Sequence, residues 1–134
     1  MNRQALAVML CCLCTPGLAD GPCSDDASRD GNLLRIDGEP AAHLAFVPET
    51  IRVGEPFAIR ISLCIPMLEL EEVDAGMPAH GHGMNYRPAV SSAADGVVTA
   101  DGFLFHMPGT WEISLVLKHG ATRLRLVREL ALDP

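Results

Sequence analysis

An all-β fold is what this sequence predicts: an immunoglobulin-like or cupredoxin-like antiparallel sandwich of six to eight strands. Three observations lead there. Short apolar runs alternate with Gly, Pro, Asn and Asp turn signals from residue 33 onwards. The best of these runs alternate apolar and polar side chains at period two, the mark of a strand with one buried face. No segment holds a sustained 3.6-residue apolar period with caps at its ends. At 134 residues the chain is one domain long, and its 49% hydrophobic residues are enough to build a core.

Residues 1–19 read as a secretory signal peptide. Arg3 supplies the positive n-region, Ala5–Cys14 a ten-residue apolar run, and Gly17 and Ala19 the small residues of a cleavage site. The run is too short for a bilayer, which takes about 20 residues. A buried N-terminal helix or strand is the alternative. The expected product is exported, periplasmic or secreted, and has no membrane span after cleavage. Residues 20–32, rich in Gly, Pro, Ser and Asp, form an irregular arm, and residues 33–134 form one sandwich domain.

Within that domain Leu33–Ile36 is a short strand closed by Asp37-Gly38, and His43–Val47 a second, stopped by Pro48. Pro56–Cys64 is the clearest strand of the first half: Phe57, Ile59, Ile61 and Leu63 share one face, Arg60 and Ser62 the other. Met67–Val73 is weaker, with Glu69 and Glu71 on a solvated face beside Glu72. Val97–Thr99 and Gly102–Met107 are strand-like, separated at Asp101-Gly102. Thr110–Lys118 points Trp111, Ile113, Leu115 and Leu117 inward; His119-Gly120 turns; Thr122–Leu132 is the last strand, although residues 127–132 also fit a short helical turn.

Charge and cysteine usage narrow the function. Ten Lys and Arg against 17 Asp and Glu, with no basic run, make the chain a poor candidate for nucleic acid or anionic membrane surfaces as partners. Three of the five cysteines fall in the signal segment. Cys23 and Cys64 remain, and in an oxidising compartment they are expected to form one disulfide. The alternative is a thiolate metal ligand at Cys64. The sequence is not read as an enzyme. It has no Gly-x-Ser-x-Gly, no poised Cys-His pair and no glycine-rich phosphate loop. Blue-copper electron transfer needs a Cys beside two His, which Cys64 does not offer.

The chemistry gathers in Met77-Pro-Ala-His-Gly-His-Gly-Met84. Glycines around His80 and His82 let the backbone fold tightly, so that both imidazoles can meet one ion. Imidazole suits copper, zinc and nickel; the thioethers of Met77 and Met84 shift the preference to copper(I). A second cluster, His106-Met107-Pro108-Gly109, lies some twenty residues on. His106 and Met107 are adjacent and face opposite sides of a regular strand, so Met107 reads either as a ligand or as a core residue beside Phe103 and Phe105. Met77 reads equally as a ligand or as loop packing. His43 and His119 read as ordinary surface or hydrogen-bonded histidines, and Tyr86 and Arg87 as groups that orient the loop.

The stretch Val73-Asp-Ala-Gly-Met-Pro-Ala-His-Gly-His-Gly-Met-Asn-Tyr-Arg-Pro88, followed by Gly102-Phe-Leu-Phe-His-Met-Pro-Gly-Thr-Trp-Glu-Ile113, resembles the YtkA-like and FixH-like domains of bacterial envelope proteins. Gly54-Glu-Pro-Phe-Ala-Ile59 is similar to their first clear strand, and the resemblance covers roughly residues 45–118. It implies a β-sandwich associated with copper handling or with assembly of haem-copper oxidases. It maps His80, His82, Met84 and His106, with Met77 and Met107, as the candidate ligands. The implied partners are a copper ion and another envelope copper protein or an oxidase subunit. Sequestration or delivery of copper(I) is therefore the first expectation. A non-metal interaction module, or an accessory factor for oxidase assembly, is the alternative. Geometry discriminates: His80 or His82 within about 5 Å of His106 favours metal, given ligand bonds near 2 Å, and placement at opposite ends of the sandwich favours the interaction role.

Overall fold

The computed structural model describes residues 23–24, 31–93 and 96–134. The signal-peptide reading of residues 1–19, and the arm reading apart from residues 23–24 and 31–32, lie outside the described residues. Nine strands are described: β1 (Leu33–Ile36), β2 (Glu39–Val47), β3 (Pro56–Leu63), β4 (Leu68–Met77), β5 (His82–Gly83), β6 (Ala89–Ser92), β7 (Val97–Leu104), β8 (Gly109–His119) and β9 (Thr122–Leu132). They build two antiparallel sheets, β1-β2-β3-β7-β6 and β5-β4-β8-β9. The fold is the all-β sandwich that the alternation predicts. The two short strands β5 and β6 are the ones that the apolar pattern does not announce. Residues 127–132 are strand, not a helical turn. Among the described residues no helix is long and apolar enough to cross a membrane.

The core lies between the sheets. Leu44, Ile59, Ile61, Ala100 and Phe103 fill it from the first sheet, and Trp111, Ile113, Leu115 and Leu117 from the second. These are the inward positions of the period-two runs, and each buried aliphatic side chain contributes about 1.5–3 kcal/mol of transfer free energy.

Two bulges explain where simple alternation fails. On β4 the register with β8 slips between Leu70 and Glu72. Leu68 and Leu70 lie in one phase and Val73, Ala75 and Met77 in the next, with Glu71 and Glu72 both exposed between them. The strand therefore runs on past Val73. The extra residue, Glu71, is turned outward and accepts two hydrogen bonds from the Arg123 guanidinium of β9, at 2.6 and 3.1 Å. That bond holds the Glu71 carboxyl below its ordinary value and raises Arg123. On β7 the same device operates at Asp101-Gly102, where the register with β3 slips between Phe57 and Ala58. Gly102 takes φ +92°, and its N–H donates to the Asp101 carboxylate at 2.7 Å. The two runs read from the sequence are one strand, whose inward face passes from Val98 and Ala100 to Phe103 across the bulge.

The two ends of the sandwich differ. At one end β3 passes into β4 through residues 64–67, and Cys64 is bonded to Cys23, 41 residues apart with Cα atoms 5.5 Å apart. This is the pairing expected from export. It leaves no thiolate at Cys64. At the other end β4 gives way to β5, and β7 passes to β8 through residues 105–108.

Candidate metal centre

The histidines of the Gly-rich window and His106 meet at that second end. β4 finishes at Met77, and Pro78–His80 forms one 3-10 turn. Gly81 then adopts the left-handed conformation, φ +62°, and donates its N–H to the Pro78 carbonyl. β5 returns antiparallel, with Gly83 opposite Gly76 and His82 opposite Met77. The Met84 N–H reaches the Ala75 carbonyl at 3.2 Å and closes the hairpin. Gly76 permits the approach, since a Cβ there would lie 2.9 Å from the His82 carbonyl oxygen. Residues directly opposite in an antiparallel pair share a face. His82 is therefore on the side of its sheet that Met77 occupies, which is the side facing the other sheet.

His106 is presented by a packed corner. Phe105 is buried, and its carbonyl accepts the Gly54 N–H at 2.8 Å. The Trp111 indole stacks on Phe105 with ring centres 4.2 Å apart, and it meets the His106 ring edge-on at 5.4 Å. Its Nε1–H donates to the Met107 carbonyl at 3.0 Å. Gly109 has φ +122°, and a Cβ there would stand 2.7 Å from the Met77 Cε. The Met107-Pro-Gly-x-Trp111 element is thus accounted for by packing. Gly109 makes room for Met77, and Trp111 ties the carbonyl that follows His106.

The three imidazoles form two neighbouring pairs that share His82. The ring centres of His80 and His82 are 6.1 Å apart, and those of His82 and His106 are 6.3 Å apart. Two imidazoles on one ion, with bonds of about 2 Å, have centres about 5 Å apart at a tetrahedral angle and about 6 Å apart when opposed. The pair His82/His106 is therefore slightly wider than the 5 Å criterion and within reach of the opposed arrangement. The loop and His106 share one end of the sandwich, so neither the 5 Å approach nor the opposite-end placement is met. His80 and His82 are exposed, as is His106, and an open hollow is lined by Gly81, His82, Gly83, Asn85 and His106.

The methionines fall into two kinds. Met77 is 1% exposed and packs in the core, which is the loop-packing alternative of the sequence reading. Met84 and Met107 are half-buried against the rim of the core, next in sequence to β5 and to His106 respectively. Arg87 does not address the histidines; its guanidinium lies 3.4 Å from the Glu72 carboxylate. His119 ends β8 opposite Leu68, at the far end. His43 lies mid-strand, opposite Ser62. Among the described residues no three His, Cys, Asp or Glu side chains converge as a metal-holding group, so the donor set on offer is imidazole with thioether nearby. Asn85, on the wall of the hollow, carries no signal in the sequence beyond following Met84. Trp111 reads from the sequence as core alone, and its bond to the His106 corner becomes apparent only in three dimensions.

Scanned against models of known families, and searched against curated proteins and solved structures, the chain finds no match.

Proposed function

We propose that this chain is an exported, periplasmic or secreted copper-binding protein that holds copper(I) at the histidine end of the sandwich and sequesters it or passes it to another envelope protein. The observation that carries the reading is the approach of His82 to His106, with ring centres 6.3 Å apart although one comes from the β4–β5 hairpin and the other from the β7–β8 corner. Imidazoles with thioethers close by in the sequence, and no converging carboxylates among the described residues, suit a soft monovalent ion better than calcium, magnesium or zinc. His80, His82 and His106 would supply the nitrogen donors. Met84 and Met107 are the thioethers closest along the chain. Met77 contributes packing under Gly109. The resemblance to YtkA-like and FixH-like domains points the same way and suggests a copper protein or an oxidase subunit as acceptor.

Exposure of the donors supports delivery over storage. An acceptor with thiolate or imidazole ligands can approach the exposed histidines and replace the donors one at a time. No catalytic step is assigned. Copper(I) titration of residues 20–134 tests the reading. One ion per chain is expected, bound more tightly than about micromolar, or about −8 kcal/mol. The double variant His80→Ala/His82→Ala is expected to lose that binding while keeping the far-UV spectrum of the sandwich. Wild-type binding weaker than micromolar would sink the proposal.

A further inference from the structure

The two imidazole pairs bear on how an ion would move. His82 is the middle member, 6.1 Å from His80 on one side and 6.3 Å from His106 on the other. The spacing of either pair is that of two nearly opposed rings on one ion, whose centres lie about 6 Å apart. A single centre using all three would need them to converge on a point, and no three such side chains do so among the described residues. The two pairs also differ in setting. His80 sits on the exposed 3-10 turn, before Gly81 in the left-handed conformation. His106 rests edge-on against the fully buried Trp111.

We propose that the histidine end carries two overlapping two-histidine positions for one copper(I) ion, an outer one at His80/His82 and an inner one at His82/His106, with His82 common to both. This rests on the copper reading above. Transfer from outer to inner exchanges one nitrogen donor for another: the bond to His106 forms as the bond to His80 breaks, and the bond to His82 is kept. No electron is transferred. Holding one bond throughout means that the ion never leaves the protein between the two positions. Run in reverse, the same exchange brings the ion to the exposed His80 side, where an acceptor can take it.

Trp111 is the chain's only tryptophan and lies against His106, so its emission reports on the inner position more strongly than on the outer one. The test is an anaerobic copper(I) titration of residues 20–134, read by a chromophoric competitor for affinity and by Trp111 emission for position. Near-UV circular dichroism of each apo variant checks its packing. Wild type is expected to take one ion with a change in emission. His80→Ala is expected to keep the emission change, with affinity reduced less than tenfold. His106→Ala is expected to bind copper(I) with a diminished emission change, and His82→Ala to lose at least a hundredfold in affinity. If His80→Ala and His106→Ala each abolish binding as fully as His82→Ala, a single three-histidine centre replaces the two positions. An undiminished emission change in His106→Ala overturns the inner position. If wild type takes up no copper(I) at all, the copper reading itself has failed, and this proposal with it.

Discussion

Replacing Trp111 with alanine is expected to destabilise the domain by about 3–5 kcal/mol, the usual cost of deleting a large buried aromatic side chain. Trp111 is fully buried on β8, stacked on Phe105, and Phe105 in turn meets Phe57 edge-on at 4.9 Å. Removing the indole takes away the floor of that aromatic group and opens a cavity beneath His106. Trp111→Phe separates packing from tethering. It keeps most of the ring contact and removes the Nε1–H that holds the Met107 carbonyl. A net cost of about 1 kcal/mol is expected for the lost bond, with a further cost for the smaller ring. Urea unfolding followed by far-UV circular dichroism measures both, because it does not depend on the tryptophan that is removed. If Trp111 only fills space, Trp111→Phe will leave copper(I) affinity at the wild-type value. If it also positions His106, affinity will fall in a protein that remains folded.

The second large effect is expected from the Cys23–Cys64 bond. It closes 41 residues, and in the chain-entropy account a loop of that size stabilises by about 4 kcal/mol through restriction of the unfolded chain. Cys23→Ser/Cys64→Ser is expected to lower the unfolding free energy by about 3–4 kcal/mol without changing the folded sandwich. Reduction of the wild-type protein should reproduce the loss, and chemical denaturation with and without reductant measures it. An equal stability of oxidised and reduced protein would mean that the bond constrains nothing the sheets do not already hold.

What could be read from the sequence follows from how strongly each segment couples pattern to burial. β3 and β8 bury one face, β9 half-buries one, and none of the three carries an inserted residue of its own, so their alternation announces them almost to the residue. β4 and β7 are harder because each contains an inserted residue. Leu68 and Leu70 are out of phase with Val73, Ala75 and Met77, so a search for strict alternation ends the strand at Val73, where the structure continues it to Met77. Gly102 likewise splits β7 in two. A phase slip of one residue, flanked by runs that each alternate, is the signal of a bulge. β5 and β6 have no buried residues to report, since all six of their positions are exposed.

The candidate centre was legible as residue types and not as geometry. His80, His82 and His106 stand out by chemistry and spacing, and the structure gathers them at one end. Met77 stands out by the same criteria, yet it faces the core. The sequence does contain the reason: Met77 continues the inward phase of Val73 and Ala75 once the bulge at Glu71 is allowed for.

The path of the chain sets how the domain would be presented. Cys23 joins it at the end where β3 turns into β4, whereas Leu132 pairs with Gly109 beside the histidine corner. A surface, carrier or affinity handle attached upstream of Cys23 would therefore leave the three imidazoles facing outward, clear of the attachment. The same handle placed after Pro134 would crowd them, and a polyhistidine sequence there would compete for the ion being measured.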